Sequence, residues 1–185
     1  MNDSNWSTHP LRLTPLPAEE WDERARTALS SLIPPGRANP SGAGNVLSTL
    51  VRHPDLIGAY LPFNAYLLRN STLSPRIREV ALLRVVYRGD CEYLWSHHIP
   101  IAAQAGLSAE DIAAVRSGDC PEPLDQMVIN AVDDLTAHNT ITQPTWDELG
   151  SVFGDEQRMD LVFTIGGYLL LAMVVNTFGV QHEQR

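Results

Sequence analysis

Apolar residues recur along this chain at intervals of three and four, and no stretch alternates convincingly with period two. That spacing is the signature of amphipathic helices. Residues 18–32 place Trp21, Ala25, Leu29 and Leu32 on one side of a helix. Residues 34–44, rich in Pro, Gly, Asn and Ser, read as a loop. A short helix is predicted over residues 45–53, and Pro54 opens another that runs to about Arg69. Ser74 and Pro75 supply an N-cap and a first helical position, and Gly89 a stop, so a helix spans the residues between them. A second helix carries Cys91 to His98 and beyond. Ser108 and Asp111 form a capping pattern for a short helix that ends near Gly118. Residues 124–138 set Met127, Ile129, Val132 and Leu135 near one face. A short helix over 145–153 and a long one over 155–180 complete the pattern. The reading is an all-α, single-domain helical bundle over residues 18–185, preceded by an irregular arm at 1–17.

The last helix changes the picture. Residues 161–180 contain no charged side chain, which is the length of a membrane span. Gly166, Gly167 and Gly179, with Thr164, Asn176 and Thr177, dilute its hydrophobicity, and no cluster of Lys or Arg flanks it. It is therefore expected to be a buried helix, in the core or in a subunit interface, and the protein is expected to be a homo-oligomer outside the membrane. The net charge of −9 over 185 residues argues against partners that are nucleic acids or anionic membranes. Two widely spaced cysteines make neither a disulfide framework nor a zinc site. The first residues hold no apolar run of the signal-peptide kind, so a cytoplasmic location is expected.

Candidate chemistry concentrates between Arg78 and Gly106. Cys91, Trp95 and His98 stand at i, i+4 and i+7 on one helix face, with Leu94 beside them. His97 is turned away by roughly 100°. On the preceding helix Glu79 shares a stripe with Leu82, Leu83 and Val86. A carboxylate buried there must be paired, hydrogen-bonded or protonated. A fold-back at Gly89 and Asp90 would bring Glu79 to the His98 face and make an acid–base relay. Each residue also has an ordinary structural reading: Cys91 as a small hydrophobe, Trp95 as core, His98 as a satisfied core histidine. No spacing predicts a metal site, since His97 and His98 diverge and His182 stands near the end with only Glu183 beside it. Gly42-Ala43-Gly44 is too short for a phosphate loop, so no cofactor is expected.

Three segments resemble the carboxymuconolactone decarboxylase family, which includes the alkylhydroperoxidase D-like proteins: Leu73-Ser74-Pro75-Arg76-Ile77-Arg78-Glu79, Cys91-Glu92-Tyr93-Leu94-Trp95-Ser96-His97-His98, and residues 105–112. The resemblance runs over residues 45–182. It implies oligomers and one of two chemistries. In the peroxidase branch a Cys-x-x-Cys pair precedes the histidine; Cys91 and His98 match, but Leu94 stands where the second cysteine belongs. In the decarboxylase branch a Glu-Trp-x-x-His run is expected; Trp95 and His98 match, and Leu94 again departs. Glu92 would cover part of the missing glutamate's role, although it lies about 200° round the helix from Leu94.

The first function this implies is proton transfer or decarboxylation on a small anionic organic acid or lactone. Glu79 and His98 would do the chemistry, Trp95 would form a pocket wall, and Arg76 would be the cation best placed to reach the site. The second is a thiol peroxidase using Cys91, resolved by an external thiol or by Cys120. The third is a non-catalytic oligomer that binds a small molecule.

Overall fold

The computed structural model describes residues 6–183; the first five residues of the expected arm, and residues 184–185, lie outside them. The described elements are helices only. They are α1 (Glu23–Ala28), α2 (Pro40–Leu50), α3 (Pro54–Arg69), α4 (Pro75–Arg88), α5 (Glu92–Gln104), α6 (Ala109–Ser117), α7 (Pro123–His138), α8 (Gln143–Gly150) and α9 (Asp155–Phe178), with 3-10 turns at Ala18–Glu20 and Pro35–Arg37. The chain divides into two compact units. One comprises residues 6–7 and 71–174, the other residues 8–70 and 175–183.

In the first unit α4 is the central element. Val80, Ala81, Leu82, Leu83, Val85 and Val86 are all fully buried. At about 1.5–3 kcal/mol for each large apolar side chain, this helix contributes much of the hydrophobic stabilisation. It packs on α5, α6 and α7, and α7 answers with Val128, Ile129, Ala131 and Val132. The Ser74 hydroxyl accepts the Ile77 N–H at 3.3 Å, and Pro75 occupies the first helical position, as expected. The stop works differently from the expectation. Asp90, not Gly89, takes the left-handed conformation (φ 51°). The Asp90 N–H reaches the Tyr87 carbonyl at 3.0 Å and the Cys91 N–H the Val86 carbonyl at 2.9 Å, a Schellman closure. Gly89 lies close to α9: a Cβ there would sit 3.3 Å from the Ala172 Cβ, a tight contact.

The arm ties into this unit at the same corner. The Ser7 N–H lies 3.2–3.3 Å from the Asp90 carboxylate oxygens, and Trp6 packs on Tyr87 and Trp95 with ring centroids 5.6 and 6.0 Å apart.

Helix α9 buries only one face within its unit. Leu161, Ile165, Tyr168 and Ala172 are at most 2% exposed, whereas Met159, Phe163, Leu170 and Met173 are 50–60% exposed. By length and composition this helix could cross a membrane, with a mean hydropathy of 1.9 over its most apolar stretch.

The second unit is built from α1, α2 and α3 around Leu29, Leu61 and Leu67. Two expected boundaries move here. The helix expected over 18–32 breaks before Glu23, because the Asp22 side chain accepts the Ala25 N–H and restarts the helix as its N-cap. The expected loop over 34–44 is helical from Pro40, with Asn39 as N-cap, and Gly44 (φ 71°) kinks it. Two grooves of about 760 and 470 Å³ flank α1; in the larger, Arg24 and Asp55 neutralise each other at 2.8 Å.

Candidate active site

Glu79 sits one turn into α4 and His98 midway along α5, and the turn at Asp90 lays the two helices against each other. The His98 Nδ1 lies 2.9 Å from Glu79 Oε2. Glu79 is 0% exposed and His98 6%. An ionised carboxylate only accepts, so Nδ1 would donate in this contact, and in a neutral imidazole Nε2 then holds the free lone pair. Nε2 has no hydrogen-bond partner among the described residues. The other carboxylate oxygen, Oε1, lies 3.4 Å from the Arg78 Nε. The His98 ring makes a T-shaped contact with Tyr168 of α9, centroids 5.6 Å apart. The cluster is therefore a buried carboxylate between an imidazole and a guanidinium, with an aromatic ring holding the imidazole plane.

Of the residues that the sequence singles out, Glu79 and His98 meet. Cys91 is fully buried at the start of α5. Burial pushes its thiol up to about 11, the carboxylates of Glu92 and Asp90 add to the rise, and the Leu94 N–H only partly opposes it. Cys120 is likewise pushed up to about 11, first by burial and then by Asp125. Both cysteines are free. Trp95 packs with Trp6 and Tyr87, its centroid 5.8 Å from that of Tyr87, rather than on the His98 ring. The Glu92 carboxylate accepts the Ser96 hydroxyl at 2.6 Å along the outer side of α5. His97 is exposed and stacks on Tyr93, as its direction on the helix predicts.

Arg76 points elsewhere. Its guanidinium binds Asp125 at 2.7 Å, Asp111 at 3.2 Å and the Gly106 carbonyl at 2.9 Å. The Asp125 hydrogen bond comes first among the causes that hold it more strongly protonated than an ordinary arginine. The arginine beside Glu79 is instead Arg78. Adjacent residues on a helix do not face each other, so spacing gave no reason to choose it; the long arginine stem makes the reach. Tyr168 was also missed. Its signal is a phenol within an apolar run directly after Gly166-Gly167.

No group of three or more His, Cys, Asp or Glu side chains suited to a metal ion occurs among the described residues. What the cluster offers chemically is an imidazole hydrogen-bonded through Nδ1 to a buried carboxyl group, with Nε2 free of protein partners among the described residues and a guanidinium alongside.

Residues 54–121 match the model of the Carboxymuconolactone decarboxylase family. No curated protein sequence matches the chain significantly. The similar solved structures include these two. One is an Agrobacterium tumefaciens protein of unknown function, provisionally described as the antioxidant defence protein AhpD. It has a TM-score of 0.64 and 19% identity, covering 72% of this chain and 94% of that one. The other is the debrominase Bmp8 in its apo form, with a TM-score of 0.65 and 16% identity, covering 92% of this chain and 91% of that one. At these identities the likeness is one of fold.

Proposed function

From the premise that residues 54–121 of this chain belong to the carboxymuconolactone decarboxylase family, we propose that the protein is an acid–base enzyme acting on a small anionic organic acid or lactone. The observation that carries this reading is the 2.9 Å contact between the His98 Nδ1 and Glu79 Oε2 in a buried position. The bare His98 Nε2 removes a proton from a carbon next to a carbonyl, and the electron pair moves into the enolate. The imidazolium that forms is stabilised by Glu79; its proton exchanges with solvent, and a proton is then delivered from the imidazolium back to carbon. In the decarboxylating variant the carbon–carboxylate bond breaks, carbon dioxide leaves, the electron pair stays on carbon, and a protonated His98 supplies the quenching proton. General acid–base assistance of this kind contributes about 10²–10⁴-fold in rate.

The thiol reading is less well supported. With its thiol pushed up to about 11, Cys91 holds roughly one part in 10⁴ as thiolate at neutral pH, and the thiolate is the reactive form. Leu94 removes the second sulfur that a neighbouring disulfide would need.

Subunits associate, in this proposal, through the exposed stripe of Met159, Phe163, Leu170 and Met173, whose four- and three-residue spacing is that of a helix–helix seam. Two free cysteines are in keeping with a reducing cytoplasm.

The test is solvent-deuterium incorporation, followed by proton NMR, into a panel of lactone carboxylic acids and β-keto acids. Exchange or decarboxylation is expected in the wild type and in Cys91→Ser, and is expected to be lost in His98→Ala and Glu79→Gln. Hydroperoxide consumption abolished by Cys91→Ser, with no exchange on any panel member, would replace this reading with the peroxidase.

A further inference from the structure

We propose that Trp6 plugs a binding slot for a small, planar, electron-rich aromatic molecule, and that such a molecule takes the place of the Trp6 ring between Tyr87, Trp95 and Arg116. The slot stands independently of the acid–base reading above.

Three walls surround the Trp6 ring. Tyr87 meets it nearly at right angles, with an interplanar angle of 82° and centroids 5.6 Å apart. Trp95 lies tilted beside it at 6.0 Å. The Arg116 guanidinium stands 5.8 Å from its centroid and 5.5 Å from that of Tyr87. Edge-to-face rings accept a flat guest, and a cation near the ring face favours an electron-rich one.

The walls are held without help from the arm. Tyr87 closes the last turn of α4 and Trp95 lies in the first turn of α5, and these helices pack on each other. The two rings also face one another, centroids 5.8 Å apart. Arg84 grips Asp133 at 2.8 and 2.6 Å and donates to the Val115 and Arg116 carbonyls, which fixes the end of α6 that carries Arg116. The slot therefore keeps its shape when the arm lifts, so a guest does not have to organise it.

The hold on the plug is light by comparison. Of the described arm only Trp6 and Ser7 belong to this unit, and the chain from Thr8 onward belongs to the other. Ser7 is exposed, and its N–H reaches the Asp90 carboxylate at 3.2–3.3 Å in the open. Trp6 keeps part of its own surface in solvent. A few ring contacts and an exposed hydrogen bond are of the same order as the entropy lost in ordering two residues, so the seated and lifted states lie close in free energy. A guest that binds only the lifted state shifts that balance by its own affinity. Trp95 stands three residues before His98, so a molecule seated in the slot lies against the helix that carries the imidazole.

The test uses the intact chain labelled with 5-fluorotryptophan, with indole as the probe and cyclohexanol as a non-aromatic control. Fluorine NMR follows the four tryptophan signals. Three are assigned by their loss in Trp6→Phe, Trp21→Phe and Trp146→Phe, and the fourth is Trp95. Indole is expected to move the Trp6 signal toward its position in the unfolded chain and to shift Trp95, leaving Trp21 and Trp146 in place. Trp6→Ala is expected to bind indole about 10-fold more tightly than the wild type, because no side chain competes. Arg116→Gln in that background is expected to weaken indole about 2–5-fold. A wild-type Trp6 signal unmoved up to roughly 10 mM indole, a millimolar-affinity limit, overturns the proposal. So does a Trp6 signal that moves while Trp95 stays, an equal response to cyclohexanol, or equal affinity in the wild type and Trp6→Ala. The wild-type titration decides the matter even where a variant fails to fold.

Discussion

Replacing His98 with alanine measures how far Glu79 depends on its imidazole partner. The ring is 6% exposed, with Nδ1 2.9 Å from Glu79 Oε2. Removing it deletes a hydrogen bond to a charged acceptor, a loss of about 1.5–3 kcal/mol. It also opens a void against the Tyr168 ring, which adds roughly 1–2 kcal/mol. Oε2 is then left unpaired in a position with no exposure, while Oε1 keeps only Arg78 at 3.4 Å. The expected total is about 3–5 kcal/mol, the range for stranding one member of a buried charged pair. Glu79→Gln, added on top, removes the stranded charge and is expected to restore about 1–2 kcal/mol. The assay is urea unfolding near neutral pH followed by tryptophan fluorescence and far-UV circular dichroism, with coincident curves licensing a two-state fit. A loss below about 1 kcal/mol for His98→Ala, or a further loss when Glu79→Gln is added, would refute the reasoning.

Both thiols, pushed up to about 11 from an ordinary 9.0, are expected to alkylate slowly with iodoacetamide at neutral pH and faster as pH climbs; intact-protein mass spectrometry follows this, and rapid labelling of Cys91 at neutral pH would contradict it. The same shift carries a sign for stability. The folded state holds the Cys91 proton more tightly than the unfolded state, so its contribution is full below about pH 9 and lost as pH rises through 11, a loss that Cys91→Ala should flatten in alkaline unfolding curves. Gly118→Ala forces a Cβ to 2.6 Å from the Arg84 Nη2 at a φ of +85°, and is expected to cost about 1–3 kcal/mol in urea unfolding. If the chain associates through α9 as proposed, Phe163→Glu combined with Leu170→Glu is expected to leave only the 20.4 kDa chain in sedimentation; a wild type that already sediments as a monomer would contradict the seam.

The helical content and most element boundaries in the first unit were legible in the sequence, because they depend on local signals. Ser74-Pro75, the Ser108 and Asp111 capping box and Gly118 each act within a turn or two of their own position. The misread boundaries were also local, but there two signals competed. Asp22 could continue a helix or cap a new one, and Asn39-Pro40 could belong to a loop or start a helix. The pairing of Glu79 with His98 followed from combining helical period with one fold-back, since both partners lie on stripes whose direction the sequence sets.

Arginine assignment did not follow in that way. Arg76, Arg78, Arg84 and Arg88 look alike along α4, and which acidic partner each takes depends on where Asp111, Asp125 and Asp133 arrive from α6 and α7. The same holds for Trp95, whose neighbours include Trp6 from the arm, and for Tyr168, which reaches His98 from some 70 residues further along the chain. Sequence periodicity determined the helices and the face that each side chain occupies, because those are properties of one helix. Tertiary structure alone decided which faces meet and which charges are cancelled, because long, flexible side chains take the partners that packing brings within reach.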